Sequence, residues 1–96
     1  MKENNPYRED REQIRELLKQ YENLKHGRQH SFIDEEAFEK IIGYFQEKED
    51  LGKAMEAAEM AAEQYPYSGQ LLIKKADLLL ANRQYKEALG VLEQAQ

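Results

Sequence analysis

The chain has 96 residues, a formal net charge of −5 and 41% hydrophobic residues, which suits one small domain with a modest core. It contains no cysteine, and this excludes disulfide frameworks and thiol chemistry. The chain opens with polar and charged residues and has no long apolar segment, so we expect a cytoplasmic protein if Met1 is the native start.

The first predicted element is a helix over residues 7–25. Pro6 suits the first helical turn, and Gly27 supplies a stop. One face carries the apolar residues Ile14, Leu17, Leu18, Tyr21 and Leu24. The opposite face mixes acidic and basic residues, which favours a solvated face over a short dimeric coiled coil. We expect residues 1–33 to form an N-terminal capping helix and a polar linker.

The second and third predicted helices differ in the size of their apolar residues. The second follows Asp34, a candidate N-cap, and its apolar spacing of i, i+3, i+4, i+7 is formed by Phe38, Ile41, Ile42 and Phe45. The third covers residues 51–65 and ends at Pro66, which cannot continue a helix. Its short side chains allow close helix packing and belong to Ala54, Ala57, Ala58, Ala61 and Ala62.

Two further helices complete the prediction, with Ser68 expected to cap the first of them. The apolar stripe of the fourth helix consists of Leu72, Ala76, Leu79 and Leu80. Asn82 and Arg83 form a turn, and the stripe of the fifth helix consists of Tyr85, Ala88, Leu89, Leu92 and Ala95. We expect only some of Tyr85, Leu89, Val91 and Leu92 to pack inward, leaving the others as an exposed patch.

The sequence nearly repeats itself at an offset of about 34 positions from position 35 to the end of the chain, a period in the range of helical repeats. The matched pairs are Phe38 and Leu72, Tyr44 and Leu78, Phe45 and Leu79, Leu51 and Tyr85, Ala54 and Ala88, and Ala61 and Ala95. A fixed period of this size is typical of a solenoid, in which each helix pair buries its apolar face against a neighbour.

The residues at these positions resemble the tetratricopeptide repeat (TPR), a helix-turn-helix unit of about 34 residues. Residues 34–68 form the first TPR-like unit, with matches at Phe38, Ile41, Phe45, Ala54, Ala61 and Pro66. Residues 69–96 form a second, truncated unit, with matches at Leu72, Ala76, Leu79, Tyr85, Ala88, Leu92 and Ala95. The pattern departs from the family at Ile42, Ala58 and Lys75. The resemblance implies an all-α, right-handed helical-repeat solenoid of about five helices.

The resemblance also implies a binding surface, because in this family the first helices of successive repeats line a concave groove that receives peptides. By register, the groove residues would be Glu36, Glu39, Lys40, Gly43, Gln46 and Glu47 from the first unit, and Gln70, Ile73, Lys74, Asp77, Leu80 and Ala81 from the second. One family mode clamps a C-terminal carboxylate with cationic and amide side chains. Glu39 and Asp77 depart from that mode and would repel a carboxylate, so apolar or basic segments are the expected ligands.

The charge is concentrated in the first unit. Residues 34–68 hold ten acidic and three basic residues, a net charge of −7, and each flanking segment has a net charge of +1. This distribution disfavours a nucleic-acid-binding helix-turn-helix protein, which needs a basic surface. The acidic unit is either a solvated face or a surface that steers a basic partner.

Catalytic and metal sites find little support in the sequence. His26 and His30 are spaced i, i+4, with Asp34 nearby as a third possible ligand, but Gly27 favours a loop there. Ser68 is explained as a helix cap, and Tyr67 in the same turn is a further candidate for contact with a partner. We therefore expect no cofactor and no metal, and a non-enzymatic scaffold that binds a protein or peptide.

Two structural roles remain as alternatives to the binding scaffold. The chain could be the N-terminal cap of a longer TPR array, with the first helix covering one end of the stack. It could also be a self-association module that forms a homo-oligomer through the fifth helix.

Overall fold

A computed structural model describes residues 6–27 and 32–94, with side chains from residue 11 onward in the first range. Over these residues the protein is all-helical and has no strand. The helices are α1 (Pro6–Lys25), α2 (Glu35–Glu47), α3 (Leu51–Gln64), α4 (Gly69–Ala81) and α5 (Tyr85–Gln94). The predicted all-α class and the five helices are confirmed. His30, Ser31 and Ala95 lie outside the described residues.

The chain divides into two compact units, Met1–Asp34 and Glu35–Gln96. The first unit contains α1, which is followed by Gly27 with a φ of +63°, so this glycine supplies the left-handed stop expected from the sequence. On α1, Tyr21 is buried and the ammonium of Lys25 lies 5.5 Å from the centre of its ring. No helix in the described parts of the chain is both long and apolar enough to cross a bilayer.

In the second unit, α2 and α3 bury the residues that the sequence assigned to the core. The α2 stripe of Phe38, Ile41, Ile42 and Phe45 is buried. Four alanines of α3 have no exposed surface, and these are Ala54, Ala57, Ala58 and Ala61. Asp50 caps α3, since its carboxylate accepts a hydrogen bond of 3.1 Å from the backbone N–H of Lys53. The acidic residue at this helix start therefore has a structural role.

Helix α4 is the central helix of this unit because it contacts α2, α3 and α5. The predicted cap is confirmed, since the Ser68 hydroxyl oxygen accepts a hydrogen bond of 3.3 Å from the N–H of Leu71. The buried sector is wider than predicted, since Leu71 and Leu78 are also buried. Leu80, which the sequence placed both in the apolar stripe and on the groove face, has a side chain that is 43% exposed. Three neighbouring helices cover a broad sector of α4 and leave Leu80 just outside it.

Helix α5 contacts only α4 among the helices within residues 35–94. Ala88 and Val91 are its buried residues and form a core cluster with Leu72, Ala76 and Leu79 of α4. Of the four large α5 residues of which only some were expected to pack inward, Val91 is buried, whereas 61% of Tyr85, 62% of Leu89 and 36% of Leu92 is exposed. The expectation of a partly exposed apolar patch is confirmed. A single covering helix buries only a narrow strip of α5.

The turn between α2 and α3 recurs between α4 and α5 with the same backbone hydrogen bonds, all between 2.8 and 3.1 Å. In the first turn the donor and acceptor pairs are Lys48 and Tyr44, Glu49 and Gln46, Asp50 and Phe45, and Ala54 and Asp50. At the matching positions of the second turn they are Asn82 and Leu78, Arg83 and Leu80, Gln84 and Leu79, and Ala88 and Gln84. Both turns form the C-terminal helix cap known as the Schellman motif. The period seen in the sequence is thus present in the backbone as well as in the side chains.

Each turn places a non-glycine residue in the left-handed conformation, Glu49 with a φ of 57° and Arg83 with a φ of 61°. An L-residue there crowds its Cβ atom against the backbone, and glycine does not. We expect Glu49→Gly and Arg83→Gly each to raise the free energy of unfolding by about 0.5 to 1 kcal/mol in urea denaturation. Glu56→Gly, at an exposed helical position, is the control and should lower it by about 1 kcal/mol. Destabilisation by all three glycines would contradict the assigned turn geometry.

Candidate partner-binding surface

The predicted α2 residues lie on the side of the helix opposite its buried stripe. Their spacing of i, i+3, i+4, i+7 puts them on one face. Glu36, Lys40 and Glu47 are exposed. The others are half-buried, namely Glu39, Gly43 and Gln46. This face is polar and contains more acidic than basic groups.

Gly43 leaves open space in the middle of this face. A Cβ atom built at Gly43 would meet no atom within 4 Å other than those of its chain neighbours and the adjoining backbone of α2. The absence of a side chain therefore does not serve close packing of α2 against another helix. It leaves room at the surface for an atom from outside the unit.

The predicted α4 residues also lie on one face, and this face is more apolar. Ile73 is 48% exposed and Leu80 is 43% exposed, and their i, i+7 spacing places them two turns apart in one row. Asp77 lies between them and is exposed, as are Gln70 and Ala81, whereas Lys74 is half-buried. Two large aliphatic side chains flanking a carboxylate suit a segment with apolar and basic residues.

Helices α2 and α4 contact each other, so the structure brings the two elements with the predicted residues together. In contrast, α3 and α5 do not contact each other within residues 35–94. The first helices of the two pairs are therefore close, and the second helices are farther apart. None of the predicted groove residues is buried.

The turn between α3 and α4 carries the remaining candidate, Tyr67, whose side chain is 97% exposed. Tyr67 borders a pocket of about 470 Å³ that is also lined by Glu35, Tyr65 and Pro66. Sequence patterns pointed to Tyr67 but not to the pocket. The Tyr-Pro-Tyr run at positions 65–67 was the available signal, because it places two aromatic rings in one turn.

The described residues contain no cluster of three or more histidine, aspartate or glutamate side chains that could hold a metal ion. His26 instead pairs with Glu22 one turn earlier on α1, with 3.3 Å between Nε2 and Oε1, and both side chains are about half exposed. His30 lies outside the described residues. The candidate metal ligands are therefore not brought together in the part of the chain that the structure describes.

Comparison with models of protein families, with curated proteins and with solved structures finds no match to this chain. The proposed function is therefore based on the arrangement of the chain's own residues.

Proposed function

We propose that residues 35–94 form a TPR-like, right-handed helical-repeat solenoid, and that the protein is a non-catalytic scaffold which binds a protein or peptide segment on the face shared by α2 and α4. The observation that carries this proposal is the recurrence of the first turn's hydrogen bonds at the matching positions of the second turn. A helix-turn-helix backbone unit repeated at a fixed period is the basis of such solenoid folds.

The pattern of helix contacts supports a concave surface on the side of α2 and α4. These first helices of the two units contact each other, and the second helices α3 and α5 do not. A stack of helix pairs that is closer on one side curves toward that side. The exposed faces of α2 and α4 then line the inner surface of the curve.

The chemistry of this surface determines the class of ligand. Ile73 and Leu80 offer half-exposed aliphatic area, which favours apolar side chains. Glu39 on α2 and Asp77 on α4 place a carboxylate on each half of the surface and repel a free carboxylate. The ligand is therefore an apolar or basic segment, bound through its side chains and not through its C-terminus.

A peptide array tests this function directly. We expect enrichment of peptides with apolar and basic residues and equal binding of amidated and free C-termini, since no cationic clamp for a carboxylate is formed. Ile73→Ser with Leu80→Ser should abolish this binding, whereas Leu89→Ser on α5 should leave it unchanged. Enrichment of acidic tails that require a free carboxylate would refute the proposal.

Gly43 provides a sharper test, because stability and binding should change in opposite directions. Its Cβ position is open, so Gly43→Ala should raise the free energy of unfolding by about 0.5 to 1 kcal/mol through helix propensity. The added methyl group should weaken binding of an array-selected peptide, measured by calorimetry, because it fills space on the binding face.

Gly90→Ala is the matched control, since a Cβ at Gly90 also meets nothing within 4 Å and this residue lies on α5. It should give the same stabilisation without any loss of peptide binding. Equal binding by Gly43→Ala and Gly90→Ala would place the ligand away from the α2 face.

The exposed stripe of α5 favours a second function, self-association. Tyr85, Leu89 and Leu92 are spaced i, i+4, i+7 and form one apolar row. Their equivalents in the first unit include Met55, which packs against the α4–α5 core cluster, and Ala58, which is buried. Leu89 and Leu92 thus stand at positions that are packed or buried on α3, whereas Leu51, the equivalent of Tyr85, is 40% exposed.

We propose a second copy of the chain as the occupant of this row, because a two-fold symmetric interface covers the same patch on both copies. Sedimentation should show a concentration-dependent dimer that Leu89→Glu converts to a monomer, while Glu93→Gln leaves it intact. A monomer at all concentrations would reject self-association. Low hydrogen-exchange protection of α5 in that monomer would instead favour the cap of a longer array.

A further inference from the structure

A pocket of about 470 Å³ lies at the end of the second unit where α3 ends and α4 begins. Its lining includes an acidic residue, two amides, two aromatic rings and a proline, belonging to Glu35, Gln64, Tyr65, Pro66, Tyr67 and Gln70. All six belong to the compact unit Glu35–Gln96. Glu35 begins α2 and Gln70 lies in the first turn of α4, so three helix ends meet at the pocket.

The aromatic part of the pocket combines a fixed ring with an exposed one. The Tyr65 ring lies edge-on to the buried Phe38 ring, with 6.2 Å between ring centres and an interplanar angle of 73°. This contact positions Tyr65 against the core. Tyr67, two residues later, is 97% exposed. Its face is available to a cation, because the π face of a tyrosine ring is electronegative.

The polar groups of the pocket also favour a cation. Glu35 is exposed and supplies a carboxylate, and the side-chain amides of Gln64 and Gln70 supply carbonyl acceptors. Among the described residues that line the pocket, Glu35 is the one charged side chain. The C-terminus of α3 adds the negative end of a helix dipole and the starts of α2 and α4 add positive ends, so the preference for a cation rests on the Glu35 carboxylate and the tyrosine ring. At the start of α4, the N–H of Leu71 is already bound by Ser68, which leaves one donor fewer for an anion.

We propose that this pocket binds an arginine side chain of the partner segment. A guanidinium group is planar and can stack on a tyrosine ring while its N–H groups reach a carboxylate and amide oxygens. A lysine ammonium is a compact, strongly hydrated charge and would use fewer of these groups. The inference deepens the proposed function and rests on it for the partner, since it assigns one residue of the bound segment to a specific pocket beside the α2–α4 face.

A small blocked amino acid tests the pocket without any knowledge of the partner. The ¹⁵N-labelled full chain is titrated with N-acetyl-arginine amide and followed by NMR. We expect saturable shifts of the backbone amides of Glu35, Gln64, Tyr65 and residues 67–70, with no shifts on α5. N-acetyl-citrulline amide is the matched ligand, because its urea group has nearly the same shape but no charge. At equal chloride concentration it should bind at least about twofold more weakly.

Two variants assign the binding to the pocket residues. Glu35→Gln and Tyr67→Ser should each weaken the binding of N-acetyl-arginine amide about two- to fivefold, the range for exposed charge pairs and exposed cation–π contacts. Glu59→Gln is the control, because it removes an exposed carboxylate that does not line the pocket. Tyr67 is exposed, so Tyr67→Ser should retain the wild-type melting temperature, whereas Glu35→Gln should lower it by only a few degrees because it removes a first-turn carboxylate of α2.

Three outcomes would overturn the inference. These are equal binding of the arginine and citrulline compounds, equal effects of Glu35→Gln and Glu59→Gln, and stronger binding of N-acetyl-glutamate amide than of the arginine compound. The Ile73→Ser, Leu80→Ser double variant separates this site from the proposed function. It should abolish peptide binding but leave binding of the blocked arginine unchanged. If the wild-type chain binds the peptide but not N-acetyl-arginine amide, the inference about the pocket is rejected and the proposed function is kept.

Discussion

Replacement of Phe45 by alanine is expected to lower the free energy of unfolding by about 3 to 5 kcal/mol, because the lost burial is increased by the cost of a cavity. Phe45 is buried on α2, and its ring lies edge-on to Tyr44 with 5.4 Å between ring centres. The Nζ atom of Lys53 on α3 lies 6.0 Å from the centre of the same ring. The substitution therefore removes one ring contact within α2 and one contact with α3.

Thermal denaturation followed by circular dichroism measures this effect. For a domain of this size, about 1 kcal/mol corresponds to 4 to 8 °C, so the melting temperature should fall by at least about 12 °C. Phe32→Ala is the matched control, since the Phe32 side chain is 78% exposed and its loss should cost little. An unchanged melting temperature of Phe45→Ala would show that the register of α2 is wrong.

The second large effect is expected at Leu78. The Leu78 side chain is 2% exposed, on the side of α4 that the other helices cover. We expect Leu78→Ala to lower the free energy of unfolding by about 2 to 5 kcal/mol, the usual cost of truncating a buried leucine. Chemical denaturation with urea gives the value, provided that the slope of the transition is unchanged.

Leu80→Ala is the control for this prediction because it makes the same change two residues away on the same helix. The Leu80 side chain is 43% exposed and loses much less burial on truncation. The free energy of unfolding of the Leu80→Ala protein should differ from that of the wild type by less than about 1 kcal/mol. A larger loss for Leu80→Ala than for Leu78→Ala would reverse the assignment of the buried and exposed faces of α4.

The helices themselves could be predicted because several local signals agreed. The α2 stripe has the 3.6-residue period of a helix, Ser68 has the chemistry of an N-cap, and Pro66 is incompatible with helix continuation. These signals depend on residues close together in sequence. The extent of the α2 core, the end of α3 and the start of α4 followed from them.

Burial on α4 and α5 could not be predicted in the same way, because it depends on how many neighbours each helix has. Leu71, Leu78, Leu79 and Leu80 are equally apolar, and only the contacts of α4 with three helices determine which are buried. Helix α5 has fewer neighbouring helices than α4, so less of its surface is buried. One neighbouring helix buries Ala88 and Val91, while Leu89 remains exposed.

For the candidate surface, the two exposed helix faces could be predicted from the sequence. The repeat register placed the α2 and α4 residues on faces that the structure leaves exposed or half-buried. The pocket beside Tyr67 was not predictable, because Glu35 and Tyr67 are far apart in sequence, at opposite ends of the first helix pair. Only the packing of α2 beside the α3–α4 turn brings Glu35 to this pocket.

The contacts of α2 to α5 have a consequence for the rate of folding. Within residues 35–94, each helix contacts the next one in the chain, and the one connection that skips a helix joins α2 to α4. The chain therefore closes only short loops on the way to the native state, which gives a low contact order. Helical proteins of this kind fold in microseconds to milliseconds. Because translation adds only about 5 to 20 residues per second, each helix can pack against the preceding ones faster than the following helix is made.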